Sequence, residues 1–179
     1  FEVNTAAARL NYAQGRYEDA TRYYEKAASL MESDFSSVAM LIACYRSLGN
    51  QEGLRHAAQR TLARAEKIAA QEPDNGMAMG YVVMSLIALG QGDRARELAK
   101  RAMLLDPDNL TMRYNFACGF VELKDTETAL NLLGAVLEKD TLETVNWAKV
   151  DPDLDALRDH PRFKAMIEGA EKRLATAAG

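Results

Sequence analysis

One piece of punctuation, written twice, constrains this chain more than any other feature. "QEPDNG" (71–76) and "LDPDNL" (105–110) share Pro-Asp-Asn, and Pro73 and Pro107 stand 34 residues apart (107 − 73). Sliding the chain against itself extends the interval. "AQGRYEDATRYYEKAASL" (13–30) aligns with "SLGNQEGLRHAAQRTLAR" (47–64) at that spacing, and "ALGQGDRARELAKRAMLLDPDN" (88–109) aligns with "ELKDTETALNLLGAVLEKDTLE" (122–143). Gly49 and Gly90 are 41 apart, seven more than 34. Seven residues make about two α-helical turns, so such an insertion lengthens a helix while its buried stripe nearly keeps phase. The stretch "HAAQRTLARAEKIAAQEP" (56–73) is the natural place for it.

Each unit reads as helix, tight turn, helix. Alanine is abundant, β-branched runs are scarce and prolines number four, a balance that favours helix. Gly15, Gly49 and Gly90 close the first helices, where the backbone needs a left-handed residue, and Lys124 takes that slot in the fourth unit. The second helices carry small and apolar residues at three- and four-residue steps: Ala20, Tyr24 and Ala27, then Ala95, Ala99 and Ala102. The Pro-Asp-Asn pieces end one helix and cap the next. The expectation is therefore an all-α chain of four hairpins (1–34, 35–75, 76–109, 110–140). A capping segment over 141–179 follows. There Trp147, Val150, Leu154 and Leu157 form an apolar set around Pro152, and Pro161 opens an amphipathic helix with Phe163, Met166, Ile167, Ala170 and Leu174 inward.

A helix–turn–helix unit of this period resembles the tetratricopeptide repeat over residues 4–140, most clearly in units three and one. The resemblance implies a right-handed α–α superhelix whose first helices line a concave groove for a peptide or helix. Among the matching groove positions are Arg9, Tyr12, Met40, Ala43, Arg46, Met77, Tyr81, Met84 and Asn115. Departures carry consequences. The family's aromatic near the start of the first helix is Asn4, Val38, Met79 and Arg113. Its small crossing residue is kept as Ala8 and Ala117 but is Ile42 and Val83 in the inner units. With Leu54 facing Ile42, the second hairpin is expected to be splayed. The carboxylate clamp of chaperone-binding members is replaced by Thr5, Arg9, Met40, Met77 and Tyr81, so no chaperone tail is expected as ligand. Methionine and tyrosine suit an apolar or amphipathic segment instead, unless those methionines pack between hairpins. The tail "NWAKVDPDLDALRDHPRF" (146–163) resembles the segment that follows such repeats in bacterial signalling proteins bearing an upstream adenylate or guanylate cyclase or winged-helix domain. It implies the C-terminal part of a cytoplasmic signalling protein.

Other chemistries find little footing. A net charge of −4 provides no broad cationic field for nucleic acid or acidic lipid. Arg55, Arg60, Arg64 and Lys67 read as a solvated helix face. No apolar run approaches the roughly 18 residues of a membrane span. No leader is read at the N-terminus, and Phe1 in first place suggests a piece of a longer protein. Cys44 and Cys118, far apart, read as buried thiols. His56 and His160 have no metal-ligand spacing to a second Cys or His, and "GQGD" (90–93) is a turn without a phosphate-loop lysine. The expectation is a non-catalytic protein-interaction and regulatory module, with no cofactor, metal, nucleic acid or membrane and with a protein, a peptide or a second copy as partner. The alternatives are a structural or dimerisation arm without a peptide ligand, and a small-ligand sensor near Arg9, Arg46 and Tyr81.

Overall fold

The computed structural model describes residues 1–32, 34–72 and 74–177, and these form ten α-helices, one 3-10 helix and no strand. Helix α1 (Glu2–Ala13) pairs with α2 (Tyr17–Leu30), and α3 (Ser36–Ser47) with α4 (Gln51–Gln71). Likewise α5 (Gly76–Ala88) pairs with α6 (Gly92–Leu105), and α7 (Leu110–Glu122) with α8 (Thr126–Leu137).

The four corners are built alike. The amide of Arg16 donates to Asn11 O, Asn50 to Tyr45 O, Gln91 to Leu86 O and Asp125 to Phe120 O, at 2.8–2.9 Å. One residue earlier in each corner, Gly15, Gly49, Gly90 and Lys124 donate to the carbonyl three back. This double bond is the Schellman closure, which takes up orphan carbonyls at a helix end and needs a left-handed residue. The φ values are +72°, +67° and +76° at the glycines and +59° at Lys124. Acceptors 11, 45, 86 and 120 are spaced by 34, 41 and 34, the intervals of the sequence repeat.

Helix starts follow the punctuation too. Asn75 and Asn109, the last letters of the two Pro-Asp-Asn pieces, accept the amides of Ala78 (2.9 Å) and Met112 (2.8 Å). Asn50 does the same for Gly53. Pro73 lies outside the described residues. Helix α4 has 21 residues against 14 in α2 and in α6, so the seven added residues lengthen it as expected.

The chain divides into two compact units, Phe1–Pro107 and Asp108–Gly179. In the first, each helix packs on the next, and α3 also touches α5 directly. Its core is alanine-rich, with Ala8, Ala20, Ala27, Ala58, Ala95 and Ala99 fully buried around Leu41, Leu86 and Val83. The expected splay of the second hairpin is absent: α3 and α4 pack as fully as α1 and α2, with Ile42 and Leu54 both buried. Gly53 supplies the compensation. A Cβ there would stand 2.6 Å from Tyr45 Cδ1, so the missing side chain lets the Tyr45 ring lie against α4 beside the bulky Leu54. The arginines of α4 correct a second expectation. Arg60 Nη1 donates to both Glu25 carboxylate oxygens at 3.0 Å, and Arg64 donates to Asp34 O at 2.6 Å and Ala28 O at 3.4 Å. They brace α4 against α2 and the loop that follows it, while Arg55 and Lys67 remain solvated.

The second unit continues from α7 and α8 through α9 (Leu142–Ala148), the 3-10 helix Pro152–Leu157 and α10 (Pro161–Ala177). The 3-10 helix packs on α7, and α10 packs on α8 and α9. Phe163, Ile167 and Ala170 are buried, as are Leu154 and Leu157. The tail therefore covers this pair of helices. Val150, expected in the apolar set, is 49% exposed; Val145 and Ala148 are buried instead.

Candidate functional site

In the first unit the first helices α1, α3 and α5 carry eight of the nine residues singled out from sequence. Arg9 is exposed on α1 and Met77 is 45% exposed at the start of α5. Met40, Arg46, Tyr81 and Met84 are half-buried. At that level of cover a side chain is held in place by its neighbours yet keeps surface to offer. Tyr12 and Ala43 are different: both are buried in the core, and Tyr12 meets the ring of Tyr17 edge-on at 5.5 Å. They belong to the core and offer no surface to a partner. Asn115 lies half-buried on α7, in the second unit.

Around Tyr81 the structure gathers groups that sequence reasoning did not assign to the site. The ring of Phe35, the residue that precedes α3, lies 4.6 Å from the Tyr81 ring at a tilt of 56°. Aromatic pairs in this geometry add about 0.5–1.5 kcal/mol beyond area burial. Asp34 caps α3 by accepting the amides of Ser36 and Ser37 at 3.0–3.3 Å. Burial pushes the Tyr81 hydroxyl above its ordinary range, against a hydrogen bond with Ser36 that lowers it. Tyr24, reaching in from α2, sits within electrostatic range of Cys44, Arg9, Asp34 and Tyr81, and burial drives its hydroxyl well up. Its oxygen and the Ser37 hydroxyl are buried and make no hydrogen bond. The signal for Phe35 was an aromatic immediately ahead of a Ser-Ser helix start. For Tyr24 it was a tyrosine where the register equivalents in α4 and α6, Ala58 and Ala99, are alanine.

The second unit holds a different polar centre. The Asp151 carboxylate is buried, and its Oδ2 accepts from the Tyr114 hydroxyl (2.8 Å), the Trp147 indole (3.1 Å) and the Cys118 thiol (3.9 Å). Its Oδ1 accepts the Asp153 amide at 3.1 Å, capping the 3-10 helix. Arg158 Nη2 donates to the backbone oxygen of Asp151 at 2.7 Å, and its Nη1 reaches the carbonyls of Ala148 and Lys149. Burial and the neighbouring Asp153 charge lift the Asp151 carboxyl to about 6, against the hydrogen bonds from Tyr114, Asp153 N and Trp147. His160 Nδ1 accepts the amide of Arg162 at 3.2 Å, so this histidine caps α10. Several residues of the phrase "NWAKVDPDLDALRDHPRF" have structural partners. Its Trp147, Asp151, Arg158 and His160 make hydrogen bonds within the tail or to α7, and Leu154, Leu157 and Phe163 are buried.

His56 is exposed on α4. Among the described residues no three His, Cys, Asp or Glu side chains gather as metal ligands, and no helix is long and apolar enough to cross a membrane. Comparison with protein families and with curated proteins finds no match for this chain.

Proposed function

We propose that this chain is a non-catalytic interaction module of tetratricopeptide type, and that the face formed by α1, α3 and α5 binds an amphipathic or extended segment of a partner protein. The observation that carries the reading is the set of side chains on that face. Met40, Tyr81 and Met84 are held in place by half-burial, Met77 and Arg9 project further, and Phe35 and Tyr81 form an aromatic pair beside them. Methionine adapts its shape at low energetic cost, and tyrosine presents a rigid apolar surface with a polar tip. Such a surface suits an apolar stripe rather than a fixed charge pattern. The recurrence of one corner geometry at 34 and 41 residues supports the repeat assignment and, with it, stacking of the hairpins into a right-handed superhelix. The wording of the tail supports a place at the C-terminal end of a signalling protein.

Selection of binding peptides from a displayed library against the whole chain tests the proposal. The selected peptide should lose at least about tenfold in affinity, or 1.4 kcal/mol, on Met77→Glu, and more on Tyr81→Ala with Met84→Glu. Met77 is exposed, so its variant keeps the fold intact. Binding by the Met77→Glu and the Tyr81→Ala/Met84→Glu proteins as tight as that of the parent removes the face from the account.

A further inference from the structure

The hydroxyls of Tyr24 and Ser37 are buried without a hydrogen bond, and both belong to the seam where α2 packs on α3. Each residue is 1% exposed. The Asp34 carboxylate links them: it accepts the Ser37 amide at 3.2–3.3 Å, and its charge reaches the Tyr24 hydroxyl. The repeat supplies a control. Adding 34 to Tyr24 gives Ala58, and adding 41 to Ser37 gives Ala78. The next seam, between α4 and α5, is therefore closed at the same two positions by fully buried alanines. This junction can be sealed without a polar side chain. At the first seam the chain instead keeps two orphan hydroxyls, which destabilise it and which native structures seldom hold without a reason.

The surroundings define what would satisfy them. Burial keeps the Tyr24 hydroxyl protonated, so each of the two groups both donates and accepts. A charged group is unsuited to so buried a place. Asp34 repels a carboxylate there, and Arg9, whose charge also reaches Tyr24, repels an ammonium. A carboxamide is neutral and has one accepting arm and one donating arm, which matches a pair of hydroxyls. The seam also adjoins the face described above. Tyr81 of α5 is half-buried, its hydroxyl bonds with Ser36 next to Ser37, and its ring meets Phe35 at 4.6 Å.

We infer that, with the α1, α3 and α5 face as the binding surface proposed above, the bound segment carries an asparagine or glutamine whose carboxamide is received by the Tyr24 and Ser37 hydroxyls. Both hydroxyls are sealed in the free chain, so the Tyr81 ring turns aside to admit it, a side-chain change of the kind common on binding. Tyr24 and Ser37 are then specificity residues. They weaken the free chain and are satisfied only in the complex, and a segment with leucine in place of the amide leaves them unpaired.

Peptides selected from a displayed library against the whole chain should share one Asn or Gln among apolar residues. For the tightest of them, Tyr24→Phe should weaken binding by about tenfold while raising the thermal midpoint of the free chain, and Ser37→Ala should act in the same two directions. Replacing the peptide amide by leucine should cost the parent about tenfold and the Tyr24→Phe chain far less, because the two changes remove one interaction. If Met77→Glu weakens binding and Tyr24→Phe does not, the carboxamide site falls and the face stands. If neither variant weakens it, the face falls and the site with it. A lower thermal midpoint in the Tyr24→Phe chain also overturns the inference, since the hydroxyl then has a partner before any peptide binds.

Discussion

Asp151 makes a prediction whose sign runs against the usual behaviour of a carboxylate. Its folded-state carboxyl titrates at about 6, raised from 3.8 first by burial and then by the Asp153 charge. Between those two values the native state holds a proton that the unfolded chain has released. Stability therefore falls as pH rises through this window. A difference of about two units corresponds to about 3 kcal/mol, fully present below pH 3.8 and gone above about 6. The one tryptophan of the chain, Trp147, donates to the same carboxylate oxygen, so it reports the event directly. Urea unfolding followed by Trp147 emission, at pH values from about 4 to about 8, measures the slope. Asp151→Asn supplies the control. It keeps one acceptor oxygen for Tyr114 and Trp147, forfeits the Asp153 amide bond at a cost of about 1 kcal/mol, and removes the titration. The variant should match or exceed the parent above pH 6 and fall behind it near pH 4. A parent whose Trp147-reported stability is flat or rises across the window refutes the reasoning, as does an Asn variant with the parent's slope.

Two further outcomes follow from backbone and buried polar groups. Lys124 holds φ +59° at a corner where the other three units place glycine, so Lys124→Gly should raise the stability of the second unit by about 0.5–1 kcal/mol, read as a higher urea midpoint with an unchanged m-value. Tyr24→Phe removes a buried hydroxyl that has no hydrogen-bond partner while keeping the ring, and it should stabilise the first unit by about 1 kcal/mol in thermal unfolding. Loss of stability in the Phe variant would mean the hydroxyl is paired in solution.

Much of this architecture lies within the reach of neighbours along the chain. A helix corner is decided by a handful of consecutive residues. Gly15, Gly49 and Gly90 could therefore be placed from sequence, and even Lys124 fell in its slot by register alone. Asn75 and Asn109 accept amides three residues on, the shortest-range chemistry in the fold. The lengthened α4 follows from counting, because seven residues keep a helical stripe nearly in phase. Tertiary structure decided what depends on residues far apart. Arg60 meets Glu25 across 35 positions, and Tyr114 meets Asp151 across 37. No local pattern announces such a meeting, since the partners become neighbours only once the helices have packed. Gly53 shows the same limit. As a letter inside a helix it reads as a weakness, and only the Tyr45 ring lying against it explains why the second hairpin closes over Leu54. Exposure is the last quantity of this kind. Val3 and Ser37 hold one repeat position, yet Val3 is exposed and Ser37 is buried.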